Sequence, residues 1–233
     1  MDVFDGSGGK LYTVECLASL VGVTVGAVHV ARSRGQLPEP VGQVGRTLLW
    51  AERDVAEWVA VRTDPVPAAL RRCARWVVWR EIVRHGKPTK LPLRCDTGAV
   101  ASSTDPGTWG SYRDARACVH PHDGVGFVLN GDGIVGVDLD DCIHDGVLAR
   151  WAERVVALFP GCYCEVSPSG AGLRLFGTGQ LERGRVLRTV EGGHVELYGT
   201  GRYLTVTGRR WGSAPSELGD MGPGLAVLLS ASA

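Results

Sequence analysis

The chain has no apolar run long enough to span a bilayer, which excludes a membrane-crossing helix. Its opening residues, Met1-Asp2-Val3-Phe4-Asp5, are acidic and lack the basic-then-apolar order of a secretory signal, so a cytoplasmic protein is expected. The seven cysteines are odd in number and form no Cys-x-x-Cys pair, which argues against a disulfide framework and for buried thiols. Net charge is missing as well: 25 Lys and Arg balance 25 Asp and Glu. That excludes a protein that coats nucleic acid by charge alone. No internal repeat is visible.

What is present is ordinary globular composition, 44% hydrophobic and 21% charged over 233 residues, enough for one large domain or two small ones. Charge is unevenly spread. Arg71, Arg72, Arg75, Arg80, Arg84, Lys87 and Lys90 crowd one segment, and Arg183, Arg185, Arg188, Arg202, Arg209 and Arg210 lie in another. Both read either as walls of a phosphate-binding groove or as solvated faces.

Residues 1–10, with Gly6-Ser7-Gly8-Gly9, read as a flexible tail. A small helical unit covers 11–63, and a linker over 64–72 begins at Asp64-Pro65-Val66-Pro67. A larger unit of short strands and one or two helices covers 73–212. Residues 213–233, rich in Gly, Ser, Ala and Pro, read as a C-terminal tail carrying a short helix over 224–229.

In the small unit, Thr13 is placed to cap a helix over 14–20, Gly22 to end it, and Thr24 to cap a second helix that stops at Gly35. Two short helices across a tight glycine turn form a helix-turn-helix pattern. Residues 43–50 read as a hairpin turning at Gly45-Arg46. A third helix over 52–61 carries Val55, Trp58 and Val59 on one side. The runs Leu11-Tyr12-Thr13-Val14, Gly22-Val23-Thr24, Arg34-Gly35-Gln36-Leu37-Pro38 and Leu49-Trp50-Ala51-Glu52-Arg53-Asp54-Val55 resemble the winged helix-turn-helix domains of excisionase and MerR-type regulators. The resemblance implies DNA binding, with Arg32, Arg34 and Arg46 as the contacts. Gly26, Ala27, Val28 and Val30 leave the second helix poor in base-reading donors, so docking to a protein partner is the alternative.

In the larger unit, Gly126-Phe127-Val128-Leu129 reads as a buried strand and Gly136-Val137-Asp138-Leu139-Asp140-Asp141 follows it. Alternation along a strand sends Val137 and Leu139 to a core and Asp138 and Asp140 together to the opposite face. Paired carboxylates repel unless a cation lies between them, and hard divalent ions take oxygen ligands. Glu165-Val166-Ser167-Pro168-Ser169-Gly170-Ala171-Gly172-Leu173-Arg174-Leu175 reads as strand, Ser/Gly turn and strand, the turn offering N–H and hydroxyl groups to an anion. In His194-Val195-Glu196-Leu197-Tyr198, Val195 and Leu197 face a core and Glu196 faces away. A third carboxylate there would complete a two-ion site of the kind that serves phosphoryl transfer.

These three pieces, in this order, resemble motifs I, II and III of the archaeo-eukaryotic primase superfamily, above all the bifunctional primase–polymerase domain of phages and plasmids. Trp76-Val77-Val78-Trp79-Arg80, Lys87-Pro88-Thr89-Lys90-Leu91-Pro92, Ala101-Ser102-Ser103-Thr104-Asp105-Pro106-Gly107-Thr108-Trp109 and Gly201-Arg202-Tyr203-Leu204-Thr205-Val206 extend the likeness over 73–211. It implies an α+β fold, with an RRM-like catalytic core behind the small N-terminal winged helix-turn-helix domain. It also implies a phage- or plasmid-type enzyme that joins NTPs or dNTPs on a DNA template. Asp138, Asp140 and Glu196 would then hold two Mg²⁺ or Mn²⁺ ions. Ser167, Ser169, Gly170, Arg174, Lys90 and Arg202 would contact the nucleotide, with Arg174 catalytic beside the three acids. A separate replicative helicase is the expected partner.

The family's motif II ends in histidine where this chain has Arg174. Arginine stays cationic and can clamp phosphate oxygens, but it does not donate a proton near neutral pH. Two alternatives follow. One is a non-catalytic DNA-binding regulator on the same fold. The other rests on His120-Pro121-His122, which resembles the His-hydrophobic-His site of rolling-circle replication nucleases. Cys118, His120 and His122, with Cys142 and His144, are also a candidate Zn²⁺ cluster. Trp76, Trp79 and Trp109 read as core residues before base-stacking ones.

Overall fold

The computed structural model describes residues 3–4, 9–189 and 191–230. It divides into two units, Met1–Asp64 and Pro65–Ala233. In the first, the Thr13 hydroxyl accepts from the Cys16 N–H and starts α1 (Val14–Val21). Gly22, at φ 69°, ends it in the left-handed conformation that a side chain resists. Thr24 caps α2 (Val25–Ser33) in the same way, and the two axes turn through 106°. Strands β1 (Val3–Phe4), β2 (Lys10–Tyr12), β3 (Gly42–Val44) and β4 (Thr47–Ala51) form a sheet in the order β1-β2-β4-β3, followed by α3 (Glu52–Thr63). Leu17, Val28, Ala31, Trp50, Val55 and Trp58 make its core. The tail expected over 1–10 is in part strand, since Val3 and Phe4 pair with Leu11 and Lys10. Residues 1–2 and 5–8 lie outside the described residues. Among the described residues, no single helix is long and apolar enough to cross a membrane.

The second unit takes in the residues expected as a linker. Val66 and Leu70 are buried in its core, Leu70 on α4 (Ala68–Arg71), because that core recruits apolar side chains wherever the chain supplies them. There follow β5 (Trp76–Arg84), β6 (Lys87–Leu93), α5 (Tyr112–Ala117), β7 (Gly124–Asn130) and β8 (Ile134–Asp140). A small hairpin, β9 (Ile143–His144) and β10 (Val147–Leu148), leads into α6 (Arg150–Ala157). Then come β11 (Tyr163–Val166), β12 (Leu173–Thr178), β13 (Arg185–Arg188), β14 (His194–Tyr198), β15 (Thr200–Val206) and α7 (Gly222–Ser230).

Two antiparallel sheets result, β11-β12-β8-β14-β13 and β15-β7-β5-β6. Alternation along the strands sorts the side chains. Val135, Val137 and Leu139 of β8, Leu173 and Leu175 of β12, and Val195 and Leu197 of β14 turn to one face, where Trp151, Ala152 and Val155 of α6 and Leu225 of α7 cover them. On the other face, Tyr163, Phe176 and Tyr198 meet Trp76, Phe127 and Leu204 of the second sheet. At about 25 cal/mol per Å² of apolar surface, these two layers are the main stabilisation of the unit. Within the expected C-terminal tail, α7 forms where a short helix was expected, and Met221 and Leu225 are buried; 231–233 lie outside the described residues. Trp76 and Trp79 are core residues.

Candidate active site

β8 is the middle strand of the five-stranded sheet. Its antiparallel ladder with β14 sets Glu196 opposite Asp138 and His194 opposite Asp140. Its ladder with β12 sets Arg174 opposite Asp138, and β11 then sets Glu165 opposite Arg174. Opposed residues share a face. A lateral row Glu165–Arg174–Asp138–Glu196 therefore crosses four strands, on the face turned toward the second sheet.

Asp138 is buried, and burial is the main cause that pushes its carboxyl above the ordinary aspartate range. Arg174 opposes that shift, while the charges of Asp140 and Glu196 add to it. The guanidinium Nη2 donates to Asp138 Oδ2 at 3.3 Å, and Nε lies 3.3 Å from Oδ1. The second contact is an ion pair without hydrogen-bond alignment, so Oδ1 and Nε both lack a hydrogen-bond partner. Arg174 is itself fixed by the second sheet, Nη1 donating to the Thr205 carbonyl at 3.1 Å and to the Thr205 hydroxyl. Glu165 is wholly buried and accepts from Tyr163 Oη at 2.6 Å and from the N–H groups of Thr207 and Gly208 at 3.0 and 2.8 Å. Burial still outweighs these bonds and raises its pKa.

Further along the same face, Asp140, His194 and Glu196 bring one ligand atom each within 4.8 Å of one another. Such a cluster can hold a metal ion. Glu196 also accepts from Tyr198 Oη at 2.6 Å. Burial, then the Glu196 carboxylate, push that phenol up to about 12. Arg202 lies over the Tyr198 ring, 5.0 Å from its centroid, and so borders the site. Asp140 and His194 line a cleft of ≈ 430 Å³ with Asp141, Trp151, Arg188 and Glu191.

The Ser/Gly turn abuts the end of β8. Cys142 and Ile143 donate their N–H groups to the Ala171 carbonyl at 2.7 and 2.9 Å. A Cβ on Gly172 would sit 2.6 Å from the Leu139 carbonyl, so only glycine permits this approach. The turn closes on itself more than expected. Ser167 Oγ accepts from Gly172 N at 3.2 Å, Ser169 Oγ from Ala171 N at 3.3 Å, and the Ser167 carbonyl from Gly170 N at 3.0 Å. Those three N–H groups, expected to face an anion, are engaged inside the turn because each has an acceptor within two to five residues.

Lys90 lies at the second sheet, its ammonium 5.8 Å from the Trp79 ring centroid. Arg32, Arg34 and Arg46 are exposed in the first unit. Of the basic segment expected as a groove wall, Arg75 is instead buried and paired with Asp132 at 2.9 Å, and Arg71 donates to the Val66 carbonyl. Among the described residues the Asp140–His194–Glu196 group is the one set of three metal-ligating side chains that converges. Cys118, His120, His122, Cys142 and His144 form no such group; Cys142 is buried against the Leu139 carbonyl, and His122 Nδ1 lies 2.8 Å from the Cys118 carbonyl. Sequence reasoning missed His194, Thr205 and Glu165. Alternation with Glu196 was the available signal for His194; the Thr205 contact spans two sheets and left none.

No protein-family model matches the chain. Over 151 residues it is 36% identical to the DNA primase-polymerase of Nitratiruptor phage NrS-1, an alignment covering 62% of this chain and 20% of that protein. The alignment thus takes in about a fifth of the relative's length.

Proposed function

We propose that this chain is a primase–polymerase, joining nucleotides from NTPs or dNTPs on a DNA template. One observation carries the reading: Asp138, Asp140 and Glu196 share one sheet face through the β8–β14 register, beside the Ser167–Gly172 turn. The likeness to a phage primase-polymerase supports it. The residues fit a divalent ion. Oxygen and nitrogen donors converge, and the buried Oδ1 of Asp138 has no hydrogen-bond partner. Mg²⁺ or Mn²⁺ held there would offset the negative charge of the triphosphate and favour the deprotonated form of the attacking 3′-hydroxyl. The chain's own residues do the positioning. Arg174, tied to Thr205, keeps Asp138 in place. Tyr198 orients Glu196 by its 2.6 Å hydrogen bond. Arg202, Lys90, Ser167, Ser169 and Gly170 are the nucleotide contacts in this reading. The first unit, read as a winged helix-turn-helix, would bring Arg32, Arg34 and Arg46 to DNA, and unwinding would fall to a separate helicase.

A second reading, a non-catalytic DNA-binding protein, is favoured by the Arg174–Asp138 ion pair, which already neutralises one acid. Primer extension with labelled nucleotides and Mn²⁺ separates the two. The enzyme reading expects products that disappear in Asp140→Ala and Glu196→Ala while DNA binding persists. Folded wild-type protein that makes no product with Mg²⁺ or Mn²⁺ defeats it.

A further inference from the structure

Asp138, Asp140, His194 and Glu196 share this face but are not equivalent. Asp138 is buried and its charge is met by a guanidinium that Thr205 fixes in place. Asp140, His194 and Glu196 are more open, with side chains 57, 29 and 25% exposed. His194 Nδ1 lies 3.5 Å from Asp140 Oδ2 and 3.8 Å from Glu196 Oε1. The β8–β14 ladder fixes this arrangement, because residues 194 and 196 leave one side of β14 and oppose 140 and 138 in turn. An imidazole facing two carboxylates in a sheet supplies a nitrogen donor to any ion the carboxylates hold. The buried Oδ1 of Asp138, on the neighbouring position of the same strand face, makes no hydrogen bond and has only the ion pair with Arg174 Nε at 3.3 Å.

We propose that His194 is a metal ligand, and that Asp140, His194 and Glu196 together bind one divalent ion in preference to any second. Arg174 stands beside Asp138 as a fixed positive charge, where a second ion would otherwise balance that carboxylate. The mixed donor set makes the site selective. Imidazole nitrogen suits transition ions, whereas Mg²⁺ favours an all-oxygen octahedron and dehydrates reluctantly. The site therefore prefers Mn²⁺ or Co²⁺ to Mg²⁺. The inference deepens the nucleotidyl-transfer reading, resting on it only in taking the carboxylates as ligands, and its test does not need activity.

The test uses the full chain with Mn²⁺ as the probe, followed by electron paramagnetic resonance. Wild-type protein without nucleotide is expected to bind one Mn²⁺ per chain, with spin-echo modulation from a directly bound imidazole nitrogen. In His194→Ala and His194→Gln the modulation disappears. Mn²⁺ affinity falls at least about tenfold, the loss that even an outer partner of a metal ligand costs, while Mg²⁺, measured by competition, loses less. Circular dichroism confirms that both variants fold. Mn²⁺ bound without nitrogen modulation, two equally tight ions, or unchanged affinity in both variants overturns the proposal. If Glu196→Ala abolishes primer extension but no nitrogen signal is seen, His194 is no ligand and the polymerase reading stands. A nitrogen signal in a protein that synthesises nothing leaves the ligand assignment intact and removes the polymerase reading.

Discussion

Replacing Arg174 with methionine keeps the length of the side chain and removes its charge. The guanidinium contacts Asp138 twice at 3.3 Å and donates twice to Thr205, all in buried surroundings. Breaking a buried ion pair by removing one partner costs about 3–5 kcal/mol, since the other charge is left uncompensated. The Thr205 bonds belong to the same network and fall within that figure rather than adding to it. The loss is pH-dependent with a definite sign. Asp138 already has a folded-state pKa above its ordinary 3.8, and removing Arg174 raises it further. A raised carboxylate pKa stabilises the folded state at low pH and loses that contribution as pH climbs through the folded pKa. Urea unfolding followed by tryptophan fluorescence should thus show a smaller deficit at pH 5 than at pH 8, and Arg174→Met with Asp138→Asn should recover most of it. A deficit under about 1 kcal/mol at pH 8, the level of an ordinary exposed pair, or strictly additive single variants, would refute the argument that this pair is the buried strut of the sheet.

Glu165 gives a related expectation. Burial raises its pKa, so the stability difference between wild type and Glu165→Gln should shift in favour of the variant as pH rises from 4.5, by at most about 1.4 kcal/mol per pH unit for one group; a difference flat with pH in unfolding titrations counts against it. Gly172→Ala should lower stability by about 1–3 kcal/mol, because the new methyl meets a backbone carbonyl that cannot swing aside. An unchanged melting temperature would show that the turn has slack. Thiol chemistry should distinguish the cysteines. Cys16 is exposed, whereas burial pushes Cys142 up to about 11 and Cys164 up to about 12. Ellman's reagent on the native protein at pH 8 should modify Cys16 rapidly and leave Cys142 and Cys164 untouched; rapid labelling of either buried thiol, located by peptide mapping, contradicts their packing.

The parts of the fold legible in the sequence were local ones. Thr13 and Thr24 cap helices within three residues of themselves, and the period-2 pattern of β8 separates Val137 and Leu139 from Asp138 and Asp140 without reference to any other strand. What needed a partner was hidden. Alternation showed that Glu196 leaves its core, but only the β14–β8 register sets it opposite Asp138 and puts His194 opposite Asp140. Arg174 read as an outward cation, yet its partners are a residue on the next strand and one on another sheet. Val66 and Leu70 lie in a proline-rich stretch that looks like a linker, and their burial depends on a pocket built by residues far along the chain.

The position of β8 has a consequence for motion. A strand hydrogen-bonded on both flanks cannot slide or tilt without breaking two ladders at once, so Asp138 and Asp140 are carried on backbone that is held from both sides. The amide hydrogens of residues 136–139, held between the two ladders, should therefore exchange slowly, and fast exchange there would contradict the pairing.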